Sequence, residues 1–220
     1  MLPLPALFRL PLPYYHLPLA CLLCLASLFT WADEHLAVEP SAELLAALHQ
    51  GGFVLYLRHG PTDSLIPDLV PVVLDDCATQ RPLSEEGREL MRLVAEHMAR
   101  HAWPLEEPIL VSPFCRARET ARILFPDKIQ QVDELLRYTA AMTDDEKRPV
   151  IEHTDKMLSQ PVASGANRMI VAHGPNLADL MDYFPSEGTL VIFSPLGEAG
   201  YLYRASIPPE LWPTLTPQAL

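Results

Sequence analysis

Three short segments hold residues that could manage a phosphoryl group. Arg58-His59-Gly60-Pro61 follows the apolar run Phe53 to Leu57, Ser112-Pro113-Phe114-Cys115-Arg116 follows Ile109 to Val111, and His173-Gly174-Pro175 follows Met169 to Ala172. A neutral imidazole, with an unperturbed pKa near 6.5, presents at neutral pH an unprotonated nitrogen able to attack phosphorus. Transfer then needs alignment and neutralisation of the equatorial oxygens more than further covalent chemistry. Arginine suits that task, because its fork donates two parallel hydrogen bonds to a phosphate and stays charged. The pattern nominates His59 as nucleophile and Arg58, Arg116 and His173 as the groups that bind the phosphoryl oxygens. His173 is expected to be charged when phosphate is bound. Backbone carbonyls of the tight turn after His59 can fix the ring tautomer, and helix-start amides after Pro113 and Gly174 can add partial positive charge.

The surrounding elements explain how these residues could meet. Each apolar run is short and β-prone, and each is stopped by Gly or Pro. Amphipathic helices are expected over Ser41 to His49 and from Ser84 to about Arg100. Others are expected over Arg116 to Phe125, Asp144 to Leu158 (interrupted or delayed by Pro149) and Asn176 to Met181. Leu190 to Phe193 and Tyr201 to Tyr203 read as closing strands, and residues 61–83 read as one long loop. Strands alternating with helices predict an α/β fold, a three-layer α/β/α sandwich with a mostly parallel central sheet. In such sheets ligands bind beyond the carboxyl ends of the strands, where all three segments fall.

Arg58-His59-Gly60, then SPFCRARETA from Ser112 to Ala121, then VAHG from Val171 to Gly174, resembles the histidine phosphatase superfamily, with its phosphoglycerate-mutase-like fold. Arg81-Pro82-Leu83-Ser84-Glu85-Glu86-Gly87-Arg88 is similar to the stretch that opens that family's first long helix. The resemblance spans roughly residues 52–205 and implies a phosphohistidine on His59, with Arg58, Arg116 and His173 completing the pocket. It implies no metal and no cofactor. Family members commonly carry an acidic proton donor between the second arginine and the late histidine. Asp133, Glu134, Asp144, Asp145 and Glu146 are available here, and none stands in a family pattern. The family's asparagine shortly after RHG is also missing. Arg81 extends the pocket or braces its loop, and Arg118, two positions past Arg116, is expected in a structural salt bridge.

Residues 1–32 carry a single charge, Arg9, and a nearly unbroken apolar run from Leu19 to Trp31. That describes a secretory signal peptide, or an N-terminal anchor if it is retained. The remaining 188 of the 220 residues (33–220) suffice for one domain, and the expected location is periplasmic or otherwise exported. The chain's formal charge is −12, which argues against nucleic acid as a partner. Membrane association is expected only through residues 1–32. Past residue 32 two cysteines remain, Cys77 and Cys115. They either pair, as an oxidising compartment allows, or sit as small buried side chains. The expected activity is metal-independent hydrolysis of a phosphorylated small molecule or of phosphohistidine. The rivals are a phosphomutase, or a catalytically weak phosphate-binding or envelope interaction module on the same fold.

Overall fold

Helix starts follow directly from their capping residues. In the computed structural model, which describes residues 38–217, Ser41 Oγ accepts the Leu44 amide at 3.2 Å and opens α1 (Ala42–Ala47). Ser84 Oγ accepts the Gly87 amide at 2.9 Å and opens α2 (Glu85–His101), whose first turn carries Glu85 and Glu86 toward the positive end of the helix dipole. The leader or anchor expected over residues 1–32 lies outside the described residues.

Six strands form one sheet in the order β3-β2-β4-β1-β5-β6: β1 (Val54–Arg58), β2 (Ile109–Val111), β3 (Gln130–Val132), β4 (Arg168–Ala172), β5 (Leu190–Pro195) and β6 (Tyr201–Ile207). The β1–β4, β2–β4 and β2–β3 pairs are parallel, and β1–β5 and β5–β6 are antiparallel. The predicted mostly parallel α/β sheet is therefore present, with an antiparallel flank.

Both faces of the central strands are covered, which is why β1, β2, β4 and β5 are mostly apolar. Leu55, Leu57, Val111, Met169, Val171 and Ile192 pack against α1, α2 and α3 (Cys115–Leu124). The alternate residues Val54, Tyr56, Ile170, Ala172, Val191 and Phe193 share the other core with Leu158 of α4 (Asp144–Ser159) and Leu177 of α5 (Gly174–Met181). Burying each such aliphatic side chain contributes about 1.5–3 kcal/mol, so the alternation fixes the strand register.

Two expectations are corrected. Pro149 neither delays nor interrupts α4, which runs through it. The proline is exposed in the second turn, and the single ladder bond it forfeits ends on the carbonyl of exposed Asp145, within reach of water. The strand β3 was not expected, because Gln130-Gln131-Val132 is a polar edge strand paired on one side only.

One close approach joins the core to the site. A Cβ on Gly87 would lie 2.1 Å from the carbonyl oxygen of Pro61, so only glycine lets α2 rest on the turn that follows His59.

Candidate active site

Parallel strands bring the three segments to one sheet edge, and backbone bonds knit their ends together. The His59 amide donates to Ala172 O (3.0 Å), and the Ser112 amide donates to Val171 O (2.9 Å). The Tyr56 hydroxyl donates to His173 O at 2.8 Å and accepts the His173 amide at 3.1 Å, bracing the turn from inside the sheet. His59 and His173 stand 5.2 Å apart between ring centroids, edge to face. Arg58, His59, Arg116 and His173 are all buried, at 9%, 1%, 0% and 0% relative exposure.

The His59 tautomer is decided by its partner. Nδ1 lies 2.9 Å from the carbonyl oxygen of Gly60, which can only accept, so Nδ1 carries the proton and the lone pair sits on Nε2. In His173 the partnered nitrogen is Nε2 instead. Its Nε2 is 2.7 Å from Ser112 Oγ, which also accepts the Phe114 amide at 3.3 Å. With the Ser112 hydroxyl directed at Nε2, the ring's proton stands on Nδ1, a buried atom with no partner among the described residues.

Burial first, and then the nearby Arg116 guanidinium, hold both imidazoles well below their ordinary pKa. His173 is therefore neutral in the free protein and still offers an N–H to an anion. These two rings also set an acid limit on stability. Their folded pKa values are depressed, so below about pH 6.5 the unfolded chain binds more protons. Stability is complete above that pH and falls beneath it, by up to about 1.4 kcal/mol per pH unit for each ring. Urea unfolding followed downward from neutral pH is expected to show this slope, and a flat profile through pH 6 would contradict the two neutral rings.

The guanidinium groups are held, yet their hydrogen-bonding capacity is not used up. Arg58 donates to Pro185 O (2.6 Å) and Glu187 Oε1 (3.4 Å), and stacks 4.5 Å from the Phe184 ring centroid. Arg116 donates from Nη1 to Asp68 Oδ1 at 3.0 Å and lies over Phe114 (4.5 Å) and Tyr138 (5.1 Å). Arg58 Nε, Arg81 Nε, and Arg116 Nε and Nη2 are buried without a partner among the described residues. Each such orphan donor costs about 1–3 kcal/mol, and their clustering beside His173 Nδ1 marks a place built for an anion. Arg81 joins this cluster electrostatically, since its charge acts on Arg58, His59, Arg116 and His173 alike.

All four nominated residues thus converge. The five nominated acids do not: Asp133 binds His153 Nε2 at 2.7 Å, Glu146 closes the α4 capping box, Asp145 pairs with Arg148, and Glu134 and Asp144 are exposed. Sequence reasoning missed Asp68, Glu187 and Tyr56. Glu187 takes the Thr62 amide (3.0 Å) and hydroxyl (2.9 Å) as well as Arg58, and stands 4.0 Å from His59 Nδ1. Cys77 and Cys115 are joined by a disulfide that ties the long loop to the first residue of α3. Arg118 lies against the two bridge sulfurs, at 3.2 Å from Cys115 Sγ and 3.7 Å from Cys77 Sγ, instead of in the expected salt bridge.

Residues 54–149 match the family model of the histidine phosphatase superfamily (branch 1). Over that segment the chain is similar to that superfamily. Solved structures share its fold. A candidate alpha-ribazole-5'-P phosphatase from Escherichia coli K-12 superposes with a TM-score of 0.52 at 17% identity, covering 71% of this chain and 97% of that one. Mycobacterial hydrolase 1 superposes with a TM-score of 0.50 at 19% identity, covering 71% and 99%. No match was found among curated proteins. The matched region holds Arg58, His59 and Arg116, whereas His173 lies beyond it and is brought to them by β4.

Proposed function

We propose that the protein is a phosphatase that hydrolyses a phosphomonoester, or phosphohistidine, through a phosphohistidine on His59 and without a metal ion. The supporting observation is the pairing of an Nε2 lone pair, fixed by the Nδ1–Gly60 bond, with a cluster of buried donors that lack partners. In the first step Nε2 attacks phosphorus and the bond to the leaving group breaks. In the second a water oxygen attacks phosphorus, the P–N bond breaks, and inorganic phosphate departs. Arg58, Arg116 and the Nδ1–H of His173 neutralise the oxygens throughout, in a water-poor site where such donors act strongly. Arg58, Arg81 and Arg116 against Asp68 and Glu187 give a local excess of positive charge inside a chain of formal charge −12. The disulfide supports a working location in an oxidising compartment, and with residues 1–32 it favours export.

The test is to mix the protein with labelled p-nitrophenyl phosphate, quench with alkali and look for protein-bound phosphate. An acid-labile, alkali-stable phosphoenzyme, formed equally with and without EDTA, is the expected result. Turnover that stops on chelation would sink the proposal.

A further inference from the structure

The leaving oxygen needs a proton, and no group described so far supplies it. Of the carboxylates at the site, Glu187 stands beside His59 Nδ1, and both its oxygens are committed to Thr62 and Arg58. In-line displacement places the leaving oxygen opposite Nε2, away from that side. Asp68 is differently placed. Its Oδ1 receives Arg116 Nη1 at 3.0 Å and the Arg81 amide at 2.7 Å. The Arg116 side chain is fully buried while that of Asp68 is 21% exposed, so Asp68 stands on the solvent side of the phosphate-binding guanidinium, where a leaving group must exit.

Building on the phosphohistidine reading above, we propose that Asp68 is the general acid and base of this site. The charged group paired with it is Arg116 from α3, and the backbone amide of Arg81 from its own loop holds the same oxygen. In the free protein its carboxylate neutralises Arg116. A phosphoryl dianion that takes the unpartnered Nε and Nη2 of Arg116 brings two negative charges beside that carboxylate, and like charges sharing a site favour uptake of a proton. Substrate binding thereby loads Asp68 with a proton from solvent. As the Nε2–P bond forms and the P–O bond breaks, the proton passes to the departing oxygen, which leaves as an alcohol. The Asp68 carboxylate then takes a proton from the water that attacks phosphorus, and the P–N electron pair returns to Nε2.

Asp68→Asn keeps the shape and removes the proton. With glycerol phosphate, whose alkoxide leaves poorly, kcat/KM is expected to fall about 10²–10⁴-fold. With p-nitrophenyl phosphate, whose phenolate needs little help, it is expected to fall less than about tenfold. Phosphohistidine is expected to accumulate in the variant during p-nitrophenyl phosphate turnover, because hydrolysis has lost its base, while inorganic phosphate binds as tightly or more tightly. Equal losses on the two substrates, or weakened phosphate binding, would show a merely positioning role and overturn the proposal. So would no loss on either substrate. A wild-type protein that never forms phosphohistidine would instead overturn the reading of His59 itself, a distinct result.

Discussion

Alanine in place of His59 is expected to lower kcat/KM for any phosphomonoester by at least about 10³-fold, since losing a nucleophile removes the covalent route and leaves only binding and charge stabilisation. Phosphate affinity should survive, because Arg58, Arg116 and the Nδ1–H of His173 remain in place and unsatisfied. Steady-state kinetics together with phosphate titration separate the two: kcat collapses while phosphate still inhibits. The same variant removes one of the two buried neutral rings, so its stability should fall less steeply below about pH 6.5 than that of the wild type. Turnover within tenfold of wild type would assign the nucleophile elsewhere.

What sequence made legible here is what depends on local chain geometry. His59, Arg116 and His173 each stand at or just after the stop of an apolar run, and a turn forced by Gly or Pro places them at a strand's carboxyl end whatever happens elsewhere. Of the five acids from Asp133 to Glu146, three are engaged by their own neighbourhood, as Asp133 is by His153, and Glu134 and Asp144 are exposed. Asp68 lies in a loop with no periodicity, and only the fold reveals its bond to Arg116, 48 positions away. Glu187 stands in a comparable stretch between α5 and β5, and its value comes from Arg58 and Thr62 on the other side of the sheet edge. Tyr56 read simply as a core residue, which its ring is; its hydroxyl acts through a pairing with β4 that composition does not encode. The neutral state of His173 in the free protein is hidden from sequence for a related reason. Nothing in the local sequence shows that the ring is fully enclosed beside three guanidinium groups, and that enclosure keeps it neutral.

The disulfide carries the second large effect. Cys77 and Cys115 are 38 positions apart, and constraining an unfolded loop of that length is worth about 4 kcal/mol on the chain-entropy account. Replacing both cysteines with alanine is expected to lower the unfolding free energy by about that amount, measured by urea titration without reductant. Activity should fall as well, because the bridge holds together parts that otherwise lie on separate elements. Arg116 immediately follows Cys115, whose amide donates to Gln80 Oε1 at 2.8 Å, while Gln80 Nε2 donates to Val73 O and Leu74 O at 3.0 Å each. These bonds fasten the loop bearing Asp68 and Arg81 to the helix bearing Arg116. Once the covalent tie is cut, the loop can open by local unfolding at a lower cost than the whole domain, and the Asp68–Arg116 pair separates in those openings. Reductant should therefore lower the stability and activity of the wild type toward those of the double variant, while leaving the double variant unchanged. If reductant left wild-type activity intact while stability dropped, the hydrogen bonds of Gln80 and Asp68 alone would be holding the loop in register, and the bridge would serve the fold without serving the site.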